Sequence, residues 1–226
     1  MRLLRRRTSG QGRNLKNSTM KKSTSRTFFA VLLASGFLAA SAVHAASMTY
    51  ETRAITSPVS GNYQADWSSQ ASSVTSSQLS DFNGSVGANS SYDHLSVSFN
   101  VAAAAAGSTA IFELAPDAGY GGALYLDGLL LDAKNTDLWW GGNWDATGQL
   151  LVASIGNLAA GNHVLEAFWA EGCCNGAQGG RYQLNGGNWQ ALSVSNLDSL
   201  AVPEPASLAL FGLGLFGLAV GRRKNG

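Results

Sequence analysis

Two stretches of the 226-residue chain hold side chains that can do chemistry at close quarters. "EGCCNGAQGGRY", Glu171 to Tyr182, places the only two cysteines, Cys173 and Cys174, side by side among Gly172, Gly176, Gly179 and Gly180. "DAKNTDLWWGGNWDATGQ" sets Trp139, Trp140 and Trp144 beside Asp132, Asp137 and Asp145, so that half of the six tryptophans fall within six residues. An indole face stacks on a pyranose ring while Asp or Asn oxygens bond its hydroxyls. Trp139, Trp140, Trp144, Asp137 and Asn143 are therefore the candidate ligand-binding residues. The competing role is core filling, because Trp is highly buried on average.

The cysteine pair has four fates open to it. Neighbouring Cα atoms lie about 3.8 Å apart across a trans peptide, less than the roughly 4.4–6.8 Å of ordinary disulfides. A Cys173–Cys174 bond would be a small, strained ring that stiffens one turn and adds little stability through chain entropy. Intermolecular disulfides, free thiols and a metal site are the other three. Beyond residue 45 the chain holds only His94 and His163, without a recognised ligand spacing to the cysteines, so no metal is expected. A dithiol redox motif would separate its cysteines by two residues.

Signals for an enzyme are weak. Asp132 and Asp137 could serve as paired carboxylates of a glycosidase, but acids in surface turns ordinarily solvate. His94 beside Asp93 has no nucleophile partner in the sequence, and no base pairs with Glu166. The Gly-x-Ser-x-Gly, His-Glu-x-x-His and phosphate-loop patterns do not occur. No catalytic residue and no cofactor are assigned.

The elements that must position these residues lie between two terminal labels. Nine Lys/Arg and no acids occupy residues 1–26, ahead of the apolar run near Phe28 to Ala40 and the small-residue pattern Val43-His44-Ala45. This reads as a secretory signal over residues 1–45, cut by signal peptidase between Ala45 and Ala46, with Met20 as an alternative start. At the other end, Val202-Pro203-Glu204-Pro205 leads into some sixteen apolar or small residues and then Arg222-Arg223-Lys224. The run is near the lower limit for a membrane-spanning helix, and its closing cations favour the cytoplasmic side.

That C-terminal pattern, residues 202–226, resembles the PEP-CTERM sorting signal. The resemblance implies recognition of Pro203-Glu204-Pro205 by an exosortase and removal of the tail, with Arg222, Arg223 and Lys224 as the cytoplasmic stop. It also implies transient anchoring in the inner membrane of a Gram-negative bacterium that makes exopolysaccharide, and delivery to the envelope or extracellular matrix. The Cys173-Cys174-Asn175-Gly176 run resembles the marker of a PEP-CTERM subgroup defined by Cys-Cys-X-Gly.

Residues 46–201 are the size of one domain. "HLSVSFNV" alternates strictly, as a half-buried antiparallel strand does. "TAIFEL" follows. "ALYLDGLLLD" turns at Asp127-Gly128, a tight hairpin signal. "HVLEAFWA" and "RYQLNGGNWQAL" add further strands, the latter turning at Asn185-Gly186-Gly187-Asn188. "SQASSVTSSQL" reads equally as a short helix or a loop. The expected fold is all-β, an antiparallel β-sandwich or jelly roll, flanked by an N-terminal signal helix and a C-terminal hydrophobic helix. "GGALYLDGLLLDAKNTDLWW" and "NLAAGNHVLEAFWAEGCCNGAQGGRYQL" resemble the β-sandwich of protective-antigen-type domains, some of which bind sugars. The flocculin members hold calcium with adjacent aspartates. This chain has no Asp-Asp pair, so calcium-dependent binding does not carry over.

In this domain only Arg53, Lys134 and Arg181 face thirteen Asp/Glu, a balance of −10 that repels nucleic-acid phosphates. The expectation is an exported, non-enzymatic envelope or matrix protein contacting exopolysaccharide. The alternatives are a structural protein cross-linked through its cysteines and, more remotely, a polysaccharide-modifying enzyme.

Overall fold

Strict alternation makes the central strand. Along Ser91–Val101, Leu95, Val97, Phe99 and Val101 are buried while Ser96, Ser98 and Asn100 are half-buried on the opposite face. A computed structural model of the chain describes residues 45–201 apart from Asn175. The expected signal helix, the Pro203-Glu204-Pro205 motif, the hydrophobic helix and the Arg222-Arg223-Lys224 cluster fall outside the described residues.

The chain runs through β1 (Ser47–Ala54), α1 (Tyr63–Ser69), β2 (Thr75–Gln78), β3 (Asn83–Val86), β4 (Ser91–Val101), β5 (Ser108–Ala115), β6 (Asp117–Ala118) and β7 (Gly122–Leu126). It continues with β8 (Leu129–Lys134), β9 (Leu138–Trp139), β10 (Leu151–Leu158), β11 (Gly161–Glu171), β12 (Ala177–Leu184), β13 (Gln190–Ala191) and α2 (Val194–Ala201). One antiparallel sheet has the order β2-β1-β4-β11-β7-β8. A second has β10-β5-β12-β13, with β3 also on β12, and β6 pairs with β9 in a short ladder. The fold is the all-β, antiparallel sandwich that the strand pattern predicts.

Between the sheets lies one core. Leu95, Val97 and Phe99 of β4 and Leu165 and Trp169 of β11 meet Phe112 and Leu114 of β5, Leu151 of β10 and Tyr182 of β12. The β7–β8 hairpin closes at the expected place, with Asp127 (φ 52°) and Gly128 (φ 78°) both left-handed as such a turn requires. The Asp127 carboxylate also accepts the Val164 N–H at 2.8 Å and lies 2.8 Å from His163 Nδ1, tying the turn to β11.

The ambiguous "SQASSVTSSQL" segment resolves into loop followed by the edge strand β2. The helix lies just upstream, where Asn62 caps the Ala65 N–H at 3.3 Å. It places Tyr63 in a second cluster with Tyr92, Tyr125 and Phe168, and Trp67 packs against that cluster. No helix among the described residues is long and apolar enough to cross a membrane.

Candidate functional site: a cleft at the cysteine loop

Both conspicuous stretches meet at one end of the sandwich, and the β6–β9 ladder brings them there. Asp117 pairs with Trp139 and Ala118 with Leu138, which fixes the aromatic loop beside the β11–β12 connection that carries the cysteines. Side chains alternate along a strand, so Trp139 and Trp140 diverge. Trp139 is exposed over a cleft of about 520 Å³. Tyr120, Asp117, Asp137, Glu171, Cys173 and Cys174 line the same cleft.

The cysteine loop is pinned from several sides. The Gly172 carbonyl accepts the Ser90 N–H at 2.9 Å and the Ser90 hydroxyl at 3.1 Å. The Cys174 N–H donates to Asn89 Oδ1 at 3.1 Å, the Gly176 N–H donates to Asp117 Oδ2, and the Gly119 N–H donates to Glu171 Oε2 at 2.7 Å. Cys174 adopts φ 72°, a left-handed conformation uncommon for a side-chain-bearing residue. Both thiols are free and exposed.

Electrostatics mark the same place. Burial raises the Asp117 carboxyl above its ordinary value; the Gly176 N–H opposes the shift and Asp137 adds to it. Burial likewise raises Glu171, with the Gly119 N–H opposing and Asp117 reinforcing. The Cys173 thiol is held up chiefly by its hydrogen bond with Cys174, so it is a weak source of thiolate. Among the described residues no group of three or more His, Cys, Asp and Glu is placed to hold a metal ion.

The other predicted residues lie elsewhere. Trp140 is buried against Ala115 and Leu150, and its indole N–H donates to the Ala177 carbonyl at 2.7 Å. Trp144 packs on Trp140 at 4.7 Å between ring centroids. It also forms one side of a stack in which the Arg181 guanidinium lies 4.5 Å from Trp144 and 4.0 Å from Trp189. Asn143 is exposed, and its Oδ1 accepts the Asp145 N–H at 3.0 Å within its own turn.

Asp132 does not pair with Asp137. It accepts Lys134 Nζ at 3.0 Å and the Val152 N–H at 2.9 Å, joining β8 to β10. His94 and Glu166 do pair: Nε2 lies 3.2 Å from Glu166, Nδ1 lies 3.0 Å from Glu51, and the ring stacks on Phe168 at 4.2 Å. Asp117, Tyr120 and Glu171 escaped sequence reasoning as cleft residues. The available signal was the acid two positions before the cysteine pair.

Residues 201–224 match the PEP-CTERM protein-sorting motif, which marks an exported protein that an exosortase sorts to the cell envelope. No curated protein matches the chain. Among solved structures, it is similar to the PA14 domain of the antifreeze protein MpAFP, with a TM-score of 0.46 and 11% identity over 69% of this chain and 92% of that one. The PA14 sugar-binding domain of an RTX adhesin gives a TM-score of 0.45 and 10% identity, over 67% of this chain and 97% of that one. The Epithelial Adhesin 9 A domain of Candida glabrata, solved with Galβ1-3GlcNAc, gives 0.41 and 7%, over 68% of this chain and 94% of that one.

Proposed function

We propose that the protein is a non-enzymatic, carbohydrate-binding component of the envelope or extracellular matrix of a Gram-negative bacterium. Signal peptidase removes the N-terminal signal, the apolar tail holds the chain in the inner membrane, and exosortase then releases it toward exopolysaccharide. The observation that carries the binding reading is the pairing of two exposed aromatic rings, Trp139 at 63% and Tyr120 at 52% exposure, with Asp117, Asp137 and Glu171 around one cleft. Aromatic faces supply the stacking surface and carboxylates accept sugar hydroxyls. Mutual repulsion among the three acids favours a neutral sugar over a uronate.

Asp117 and Glu171 each hold a loop N–H, a positioning duty that supports binding rather than turnover. In the oxidising space outside the inner membrane Cys173 and Cys174 join to each other and harden one wall of the cleft. A second reading, a surface protein cross-linked to its own copies, is favoured by the exposure of both thiols.

Titration of intrinsic fluorescence with neutral and uronic-acid oligosaccharides, alongside a turnover assay on the same compounds, tests the proposal. Saturable binding of a neutral sugar is expected, lost at least tenfold in Trp139→Ala and kept in Trp144→Ala. Absence of any binding, or release of cleaved sugar, overturns it.

A further inference from the structure

The two ends of the described domain lie against each other. Ala46 is buried, and its backbone N–H donates to Asp198 Oδ1 at 2.6 Å, across 152 positions of sequence. Asp198 belongs to α2, whose last residue, Ala201, is also the first residue of the sorting motif. This helix is fastened to the sandwich by buried Leu197 and Leu200 and by the Leu200 carbonyl, which accepts the Ala102 N–H at 2.8 Å.

We propose that signal peptidase cuts between Ala45 and Ala46 and that the new α-ammonium of Ala46 forms an ion pair with Asp198, a contact that cannot exist in the uncut chain. This rests on the export reading above. Hydrolysis of the Ala45–Ala46 peptide bond by water gives a carboxylate on Ala45, which leaves with the signal, and an amine on Ala46, which takes up a proton. Asp198 already accepts that nitrogen as a neutral N–H, so the cut converts a neutral donor into a charged one without moving it.

Only a chain that begins at Ala46 places its α-amine against Asp198. Ala45 is exposed, whereas a cut one residue later would put the charge on Ser47, which is paired with Ser98 in the β1–β4 ladder. Asp198 is the only charged residue of α2. His163 of β11 lines the recess beside Ala45 and is held by Asp127 and the Ala159 carbonyl. Ser47 and Ser98 bring no charge. Removal of the N-terminal label thus tightens the helix from which the C-terminal label departs.

A free α-amine ionises near about 7.7–8.0, and an adjacent carboxylate raises it by about one unit or more. This stabilisation is complete below the unfolded amine's value and is lost as pH rises through the folded one. The test uses the exported protein purified from its envelope fraction. Intact mass and N-terminal sequencing should give Ala46 as the first residue. The amine's titration, followed by pH-dependent acylation rate, should show a roughly tenfold higher proton affinity than in Asp198→Asn, with recovery in Asp198→Glu.

An exported chain that begins at another residue overturns the proposal and leaves the export reading intact. So does an amine that titrates identically in wild type and Asp198→Asn. A chain that is never exported, or that keeps residues 1–45, defeats the export reading itself.

Discussion

Asp93 should make the domain less stable at neutral than at mildly acidic pH. It is fully buried on the inward face of β4, one inward position beyond Leu95. Tyr50 donates to one of its oxygens at 2.8 Å and Ser91 to the other at 2.8 Å. Burial outweighs these donors and pushes the carboxyl from 3.8 up to about 6. The native state therefore binds this proton more tightly than the unfolded chain. The advantage is complete below the unfolded value, shrinks as pH climbs from about 4 to about 6, and is absent above that.

At about 1.4 kcal/mol per unit, the swing is ~3 kcal/mol, a large part of a domain's usual 5–15 or so. Asp117 and Glu171 are raised in the same direction and add to it. Asp93→Asn removes the largest contribution while keeping an oxygen acceptor. Urea unfolding of the mature domain at half-unit steps from pH 4.5 to 8 is the assay. Wild type should lose stability over the lower part of this range, and Asp93→Asn should flatten most of the slope, giving the more stable protein at pH 7.5. Parallel profiles for the two proteins would refute the assignment of the slope to Asp93.

Two other perturbations test the frame around the cleft. Gly121→Ala should prevent folding: at φ 83° a Cβ would stand 2.0 Å from the Lys134 carbonyl oxygen and 2.6 Å from Tyr63 Oη, whereas Gly186→Ala, left-handed but open, should cost only about 1 kcal/mol. Circular dichroism of the two variants separates a backbone collision from mere conformational preference. The exported protein should weigh two hydrogens less than its reduced form and run as a monomer without reductant, and reduction should change unfolding stability by less than about 1 kcal/mol because the ring closes almost no chain. A disulfide-linked dimer, or two titratable thiols per chain, would contradict the internal pair.

How much of this was legible in the sequence depends on element length. Eleven-residue β4 and β11 announce themselves through alternation, and the β7–β8 turn through Asp127-Gly128. The cleft does not, because two-residue strands build it. Nothing in "LWW" says that a ladder with Asp117 will aim Trp139 outward and leave Trp140 to the interior. Helix α1 has only seven residues, and only its Asn62 cap and the burial of Tyr63 distinguish it from the serine-rich stretch that follows. The Arg181 stack joins indoles from two separate loops, a proximity that only the folded register of β12 creates.

Alternation also conceals what makes this end of the sandwich different. On β4 the inward positions run Val101, Phe99, Val97, Leu95 and then Asp93 and Ser91; on β11 they run Leu165, Ala167, Trp169 and then Glu171. Ser91 pairs with Glu171 and Asp93 with Trp169, so the two strands turn polar together, at the end that opens into the cleft. Gln178 of β12 is fully buried with neither amide atom hydrogen-bonded among the described residues. A sequence selected for stability alone would have continued the apolar face, since each buried carboxylate here costs free energy at neutral pH. Local rules are broken mainly where function needs it. The raised Asp93, Asp117 and Glu171, the left-handed Cys174 and the unpaired Gln178 amide all sit near this one end. The same residues that weaken the domain toward neutral pH thus gather at the end of the sandwich where the proposed binding cleft opens.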